Sequence, residues 1–220
     1  MSLDVLRPEA GRPERGAAPV ALALLGAALV TGYGVELTIG LRGGSAELES
    51  FLHAFGLVPR EVLGGRVHPL LTAIFLHADP IHLLANLAFL VAFGAELEAR
   101  VGARRFAAAF VGFGLVGGLI HVAAAPSSFV PTVGASGAVS GVLGAWWRLC
   151  AGDGAATRPR GRAPAFVLLA LWVGAQAAVG LGGGPGGAGW AHLGGFAAGL
   201  VAAPWLATPA RPGAVRARTS

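Results

Sequence analysis

Long apolar segments alternate along the chain with short connectors rich in Pro, Gly and Arg. Most of these segments hold about 18–25 residues, enough for a helix to cross a hydrocarbon core of ~30 Å. The six segments are 18–39, 70–95, 104–124, 134–151, 164–181 and 188–207. The pattern predicts an all-α bundle of six transmembrane helices over 18–207. Residues 1–17 and 208–220 are polar and Pro-rich, which predicts two terminal tails.

The composition supports a membrane protein. Only 12% of the 220 residues are charged and 55% are hydrophobic, whereas soluble domains carry roughly 25% charged residues. So few charges could not cover a soluble surface, and so much apolar content excludes a disordered chain. The single cysteine, Cys150, excludes a disulfide framework and a cysteine-based zinc site.

The arginines predict the orientation of the bundle. The terminal tails and the connectors after segments 2 and 4 hold 13 of the 16, whereas the 1–2 loop holds Arg42, Arg60 and Arg66. The positive-inside rule then places both termini in the cytoplasm. We predict no nucleic-acid partner, because the arginines form no basic face interleaved with aromatics. A composition with much Arg and Ala but no Lys suggests a prokaryotic genome, and therefore the plasma (inner) membrane.

Segment 2 carries two polar side chains at membrane depth, His82 and Asn86. Residues four apart share one helix face, so their side chains can point at a common atom. Polar groups inside a bilayer are functional candidates by default. The alternative is an interhelical hydrogen bond, which is common in membrane bundles.

Segment 4 opens with Gly134-Ala135-Ser136-Gly137 and continues with a stripe of small residues. The stripe comprises Gly137, Ser140, Gly141 and Gly144. Such a stripe is typical of close helix packing. Ser136 differs in its position, because it starts a short helix just after the irregular stretch 126–131. We expect it to lie in a recess that water can reach.

Segment 6 carries His192, with Gly195 and Gly199 on the same helix face. Glycines on that face let two helix backbones approach closely. If this face meets the small residues of segment 4, His192 comes within hydrogen-bond reach of Ser136. A packing role or a proton relay is the alternative for a single membrane histidine.

A metal site is not predicted. His77 and His82 are five residues apart, and the chain has neither an HExxH motif nor a nearby carboxylate pair. No cofactor is expected.

Taken together, the motifs HADPIHLLAN, VGASGAVSG and WAHLGGFAAG resemble the rhomboid family of intramembrane serine proteases in order and spacing. The resemblance runs from about residue 70 to residue 200. It implies a six-helix bundle with a water-filled active-site cavity. It also implies substrates that are single-span membrane proteins, cut near or within the span in the lipid bilayer.

The resemblance implies a role for each matching residue. Ser136 would be the nucleophile and His192 the general base. His82, Asn86 and the Ser136 backbone N–H would form the oxyanion hole, with Gly134 in the same motif. Glu98 matches an acid near the cytoplasmic end of helix 2. The remaining matches are glycines of helix packing, namely Gly137, Gly141, Gly195 and Gly199.

Two departures from the family pattern affect these expectations. The Trp-Arg pair that many members carry before helix 2 is replaced by Val67-His68-Pro69, so that loop anchor is absent. Ser140 stands where some bacterial members have a Tyr under the His ring. We further hypothesise that the Gly-rich stretch 180–189 acts as a cap beside helix 5, where substrates enter sideways.

Two other functions stay open at this point. A non-catalytic binder with the same fold is one, although such proteins generally lose the Ser or the His. A small transporter is the other, although such proteins favour internal repeats or intramembrane acids.

Overall fold

A computed structural model describes residues 18–150, 167, 171–172 and 188–207. Its helices, with a 3₁₀ turn at Ala73–Phe75, are α1 Val20–Phe55, α2 Pro59–Leu63, α3 Pro69–Thr72, α4 Pro80–Val101, α5 Ala103–Ala124, α6 Ser136–Leu149 and α7 Gly189–Leu206. The predicted all-α class is confirmed for these residues, which contain one isolated β-bridge and no strand.

The first two predicted segments differ from the observed helices. α1 continues to Phe55 across a break at Gly44, where φ is 78°, so the predicted 1–2 loop begins as helix. The second apolar run, 70–95, is not one helix but contains α3, the 3₁₀ turn and α4, because the Asp79 carboxylate accepts the His82 N–H at 2.8 Å and caps a new helix at Pro80. Hydrophobicity alone could not show this helix start.

Among the described residues, three helices are long and apolar enough to cross a membrane, namely α1, α4 and α5. α6 has only 14 residues, about 21 Å of helix at ~1.5 Å per residue, so it is shorter than the hydrocarbon core. The predicted fifth segment, 164–181, lies outside the described residues except for helical positions at 167, 171 and 172. The count of six spans therefore stays a prediction, as do the two tails and the cap at 180–189.

α6 is the central helix of the described bundle. Every residue from Gly137 to Trp146 is buried, and α6 contacts α4, α5 and, most extensively, α7. The core around it consists of large side chains such as Phe93, Phe106 and Phe110. A helix buried on all sides must keep its backbone hydrogen bonds within itself. Because other helices surround α6, its position in the bundle is well fixed.

The surface of the bundle is apolar. Large side chains such as Leu24, Ile81 and Val201 are mostly exposed, whereas Glu36, Asn86 and His121 are buried. This distribution is the reverse of that in a soluble protein. A hydrocarbon solvent explains it, since exposed apolar groups are at no disadvantage there and polar groups seek partners inside.

The helices α4, α6 and α7 begin at one end of the bundle, where His82, Ser136 and His192 of their first turns lie together, and α5 ends there. We call this end the site end. At the opposite end, the buried Glu98 carboxylate accepts the backbone N–H groups of Ala21 at 2.9 Å and Leu22 at 2.7 Å. It thereby caps the start of α1 and ties α1 to α4. The opposite charge of the helix terminus favours this carboxylate.

Side chains within α3 and just before it anchor the loop between α1 and α4. Arg66, His68 and Thr72 donate hydrogen bonds to the last three carbonyls of α1, residues 53–55, at 3.0, 3.0 and 2.6 Å. Arg66 also pairs with Glu61 at 2.7 Å. The Trp-Arg anchor is absent, as the sequence indicates, and these residues hold the loop in its place.

Candidate active site

The first turns of α6 and α7 bring a serine and a histidine together. The ring nitrogen Nε2 of His192 lies 2.7 Å from the hydroxyl Oγ of Ser136, although 56 residues separate them in sequence. Both residues are partly exposed. A neutral imidazole at this distance can accept the proton of the serine hydroxyl. The pair therefore has the geometry of a nucleophile and its base.

Close contact between two helix backbones produces this geometry. A Cβ at Gly195 would overlap the carbonyl oxygen of Gly137, and a Cβ at Gly199 would overlap that of Gly141. The four glycines are those predicted to pack, and the structure places them opposite each other. Only a residue without a side chain fits at 195 and 199, so glycine there sets the distance between α6 and α7.

His82 lies close to Ser136, next to Gly134. Gly134 has φ 129°, and a Cβ there would lie 2.8 Å from Nε2 of His82 and 3.6 Å from Oγ of Ser136. The His82 imidazole and the Ser136 hydroxyl therefore both lie close to the position that a Cβ of Gly134 would occupy. The Gly134 N–H donates to the Ala73 carbonyl at 2.9 Å. Gly134 thus contributes space for the His82 ring to the predicted oxyanion hole, and not a donor.

Asn86 lies one turn further along α4 and is buried. Its side-chain amide donates to the His82 carbonyl at 2.9 Å. An amide NH₂ has two N–H donors, so this bond occupies one and leaves the second. The bond also fixes the amide to the helix that carries His82.

The start of α6 offers backbone donors beside Ser136. Among the described side chains, none caps this helix terminus, so its first N–H groups keep their donor capacity and partial positive charge. Ser140 is buried in α6 and donates its hydroxyl to the Ser136 carbonyl at 2.6 Å. It therefore acts on the helix turn that carries Ser136.

The loop that enters α6 is fixed at two points. Thr132 forms an antiparallel bridge with Leu57, and its hydroxyl lies 3.1 Å from Nε2 of His121 at the end of α5. A cavity of about 30 Å³ next to Ser136 is lined by this loop and by α5 and α7. It is large enough for a water molecule.

The sequence prediction missed one buried acid near the site. Glu36 lies in α1 with both carboxylate oxygens accepting the backbone N–H of His77, at 3.1 and 3.0 Å. An acid inside an apolar segment is itself a sign of function, so the signal was present in the sequence. Glu36 and Glu98 are both buried acids within helices.

The comparisons with known proteins agree with this geometry. The family model described as Rhomboid domain matches residues 64–209, about two thirds of the chain. The chain belongs to the rhomboid family, and it is an integral membrane protein with several apolar helices. The family resemblance of its motifs is thereby confirmed.

Three curated relatives share parts of this region. RHOMBOID-like protein 5 of Arabidopsis thaliana is 40% identical over 34% of this chain and 25% of its own length. The putative rhomboid protease YdcA of Bacillus subtilis is 36% identical over 39% of this chain and 42% of its own. Rhomboid protease GluP of the same organism is 34% identical over 48% of this chain and 20% of its own length. The chain thus spans less than half the length of each of these relatives.

Proposed function

We propose that this protein is an intramembrane serine endopeptidase that cleaves transmembrane segments with a Ser136–His192 dyad. The observation that carries the proposal is the 2.7 Å distance between His192 Nε2 and Ser136 Oγ at the start of two closely packed helices. The relatives named as rhomboid proteases support the same reaction class.

The reaction follows from the pair. Ser136 Oγ attacks the carbonyl carbon of the scissile peptide while His192 Nε2 takes the hydroxyl proton. The tetrahedral intermediate collapses, His192 gives its proton to the leaving amine, and an ester forms on Ser136. A water molecule then attacks the ester with His192 as base, which frees the carboxylic acid and restores the serine. The cavity beside Ser136 supports a supply of water.

Three groups around Ser136 would stabilise the oxyanion. These are the His82 ring, the second N–H of Asn86, and the backbone N–H of Ser136 at the start of α6. Donors fixed before the reaction stabilise developing charge most, because they need no reorganisation in the transition state. The fixed positions of His82 and Asn86 on α4 support this role.

The partners follow from the site's surroundings. The apolar surface supports a lipid bilayer as the environment, and we propose single-span membrane proteins as substrates. The chemistry needs no cofactor or metal, because the serine and histidine supply nucleophile and base. The arginine distribution supports both termini in the cytoplasm, and the composition with much Arg and Ala but no Lys supports a prokaryotic origin.

Purified protein with a model single-span substrate tests the proposal. Ser136→Ala and His192→Ala should each reduce cleavage to background while the melting temperature stays near that of the wild type. Ser127→Ala is the matched control, because Ser127 is an exposed serine in the connector before α6. A serine-directed fluorophosphonate should label the wild type at Ser136 only.

The same experiment separates the proposal from its alternative. A non-catalytic binder of the rhomboid fold would retain substrate in a pull-down without cleaving it. Cleavage that persists in Ser136→Ala, or a phosphonate label located on another residue, would contradict the proposed dyad.

A further inference from the structure

Glu36 occupies an unusual place for an acid. It is 2% exposed, whereas its neighbours Val35 and Leu37 in α1 are exposed on the apolar surface. A carboxylate is removed from water there only if strong hydrogen bonds compensate for the loss of hydration. Both of its oxygens accept the N–H of His77. Glu36 therefore holds the backbone of the short loop 76–79.

That loop controls how α4 begins. His77 is 1% exposed, and two residues later the Asp79 carboxylate caps α4 through the His82 N–H. The ring of His77 also packs edge-on against the ring of His82, with centroids 5.1 Å apart and an interplanar angle of 65°. The backbone position of residue 77 thus limits where the His82 imidazole can lie.

The His82 imidazole in turn lies against Gly134, beside the Ser136 hydroxyl. A continuous series of contacts therefore leads from the carboxylate in α1, through His77 and His82, to the reacting serine. Small displacements at such a site have large effects on rate, because donors must meet the oxyanion at hydrogen-bond distance.

We propose that Glu36 is a positioning residue, which holds the His77 loop so that His82 stays aimed at the oxyanion beside Ser136. This inference rests on the proposed function, since it assigns Glu36 to the same reaction. Glu36 touches neither substrate nor reacting atoms and acts only through the two histidines.

A second carboxylate provides a matched control. Glu98 also accepts two hydrogen bonds from backbone N–H groups and also ties α1 to its neighbours, but at the end of the bundle opposite the site. If Glu36 only tied helices together, its loss should resemble the loss of Glu98. If it positions His82, its loss should slow turnover in addition.

The experiment compares Glu36→Ala, Glu36→Gln and Glu98→Ala in detergent, below the melting temperature of all three. We expect Glu36→Ala to lower kcat roughly 10- to 100-fold with KM little changed, and to slow fluorophosphonate labelling of Ser136 by a similar factor. Glu36→Gln keeps a carbonyl acceptor for the His77 N–H and should restore most of the rate. Glu98→Ala should lower the melting temperature but leave kcat near the wild-type value.

His77 variants keep the test decisive if Glu36→Ala does not fold. His77→Phe retains an aromatic edge against His82 and should keep kcat within a few-fold, whereas His77→Ala should lower it as Glu36→Ala would. A wild-type kcat in Glu36→Ala, or in His77→Ala where Glu36→Ala does not fold, would overturn the inference while the proposed function stands. Cleavage independent of Ser136 would overturn both.

Discussion

At the scale of single residues, Asn86 shows how one side chain can serve both the scaffold and the site. One N–H of its amide is bonded to the His82 carbonyl, and the side chain is buried next to the site. The scaffold role depends on the first N–H and the proposed oxyanion role on the second. Removal of the side chain affects both, so stability and turnover must be measured on the same variant.

We predict that Asn86→Ala lowers kcat by about 10²–10³, or about 2.7–4 kcal/mol, with KM little changed. His82→Ala should also lower kcat, and both should stay above Ser136→Ala, because the remaining donors still act. The measurement is the initial rate against substrate concentration, beside the melting temperature. An unchanged kcat with a lowered melting point would show that Asn86 stabilises the bundle and does not act as an oxyanion donor.

At the scale of helices, the contact between α6 and α7 determines whether the dyad forms. A Cβ at Gly195 would overlap the Gly137 carbonyl oxygen. The backbones must separate to admit one, and packing between membrane helices is lost with distance. Because His192 lies one turn before Gly195, the same separation would withdraw its ring from Ser136.

We predict that Gly195→Ala lowers both activity and melting temperature, and that Gly195→Val lowers them further. Overpacking of this kind costs about 1–3 kcal/mol. Gly112→Ala is the control, since a Cβ at this glycine in α5 meets no atom of the described residues within 4 Å, and it should behave as the wild type. Wild-type turnover in Gly195→Val would show that this contact does not set the dyad.

At the scale of the whole molecule, the orientation in the membrane decides from which side water and substrates reach the site. Of the 16 arginines, 13 lie in the tails and in the connectors after segments 2 and 4, and we propose that the site end faces the other side of the membrane. Loops rich in arginine are retained in the cytoplasm, so this asymmetry predicts the direction of insertion.

We predict that a reporter active only in the cytoplasm is active when fused after residue 220, and that a reporter active only after export is active when inserted near Gly44. The insertion point lies at the break in α1, where added residues disturb the helix least. Activity of the export-dependent reporter in the C-terminal fusion would show that the bundle has the opposite orientation.

The sequence by itself determined the helical class, the family and the approximate extent of three apolar segments, namely 104–124, 134–151 and 188–207. Long apolar runs without charge can satisfy their backbone in lipid only as helices. Motifs such as HxxxN and GxSG can also be read from the sequence. The spacing of HxxxN is informative because residues four apart share a helix face. The apolar pattern predicts one segment where the structure has both α3 and α4, because hydrophobicity does not reveal a helix cap such as Asp79.

Only the tertiary structure decided which residues meet. The distance between Ser136 and His192 depends on how closely α6 and α7 approach, and glycine at 195 permits that approach without specifying its partner. The same holds for Arg66 and His68, which anchor a loop that lacks the usual motif. Glu36 lies 41 residues from His77, so no local periodicity links them. Contacts between distant segments follow from the packing of whole helices, and a one-dimensional pattern carries no record of that packing.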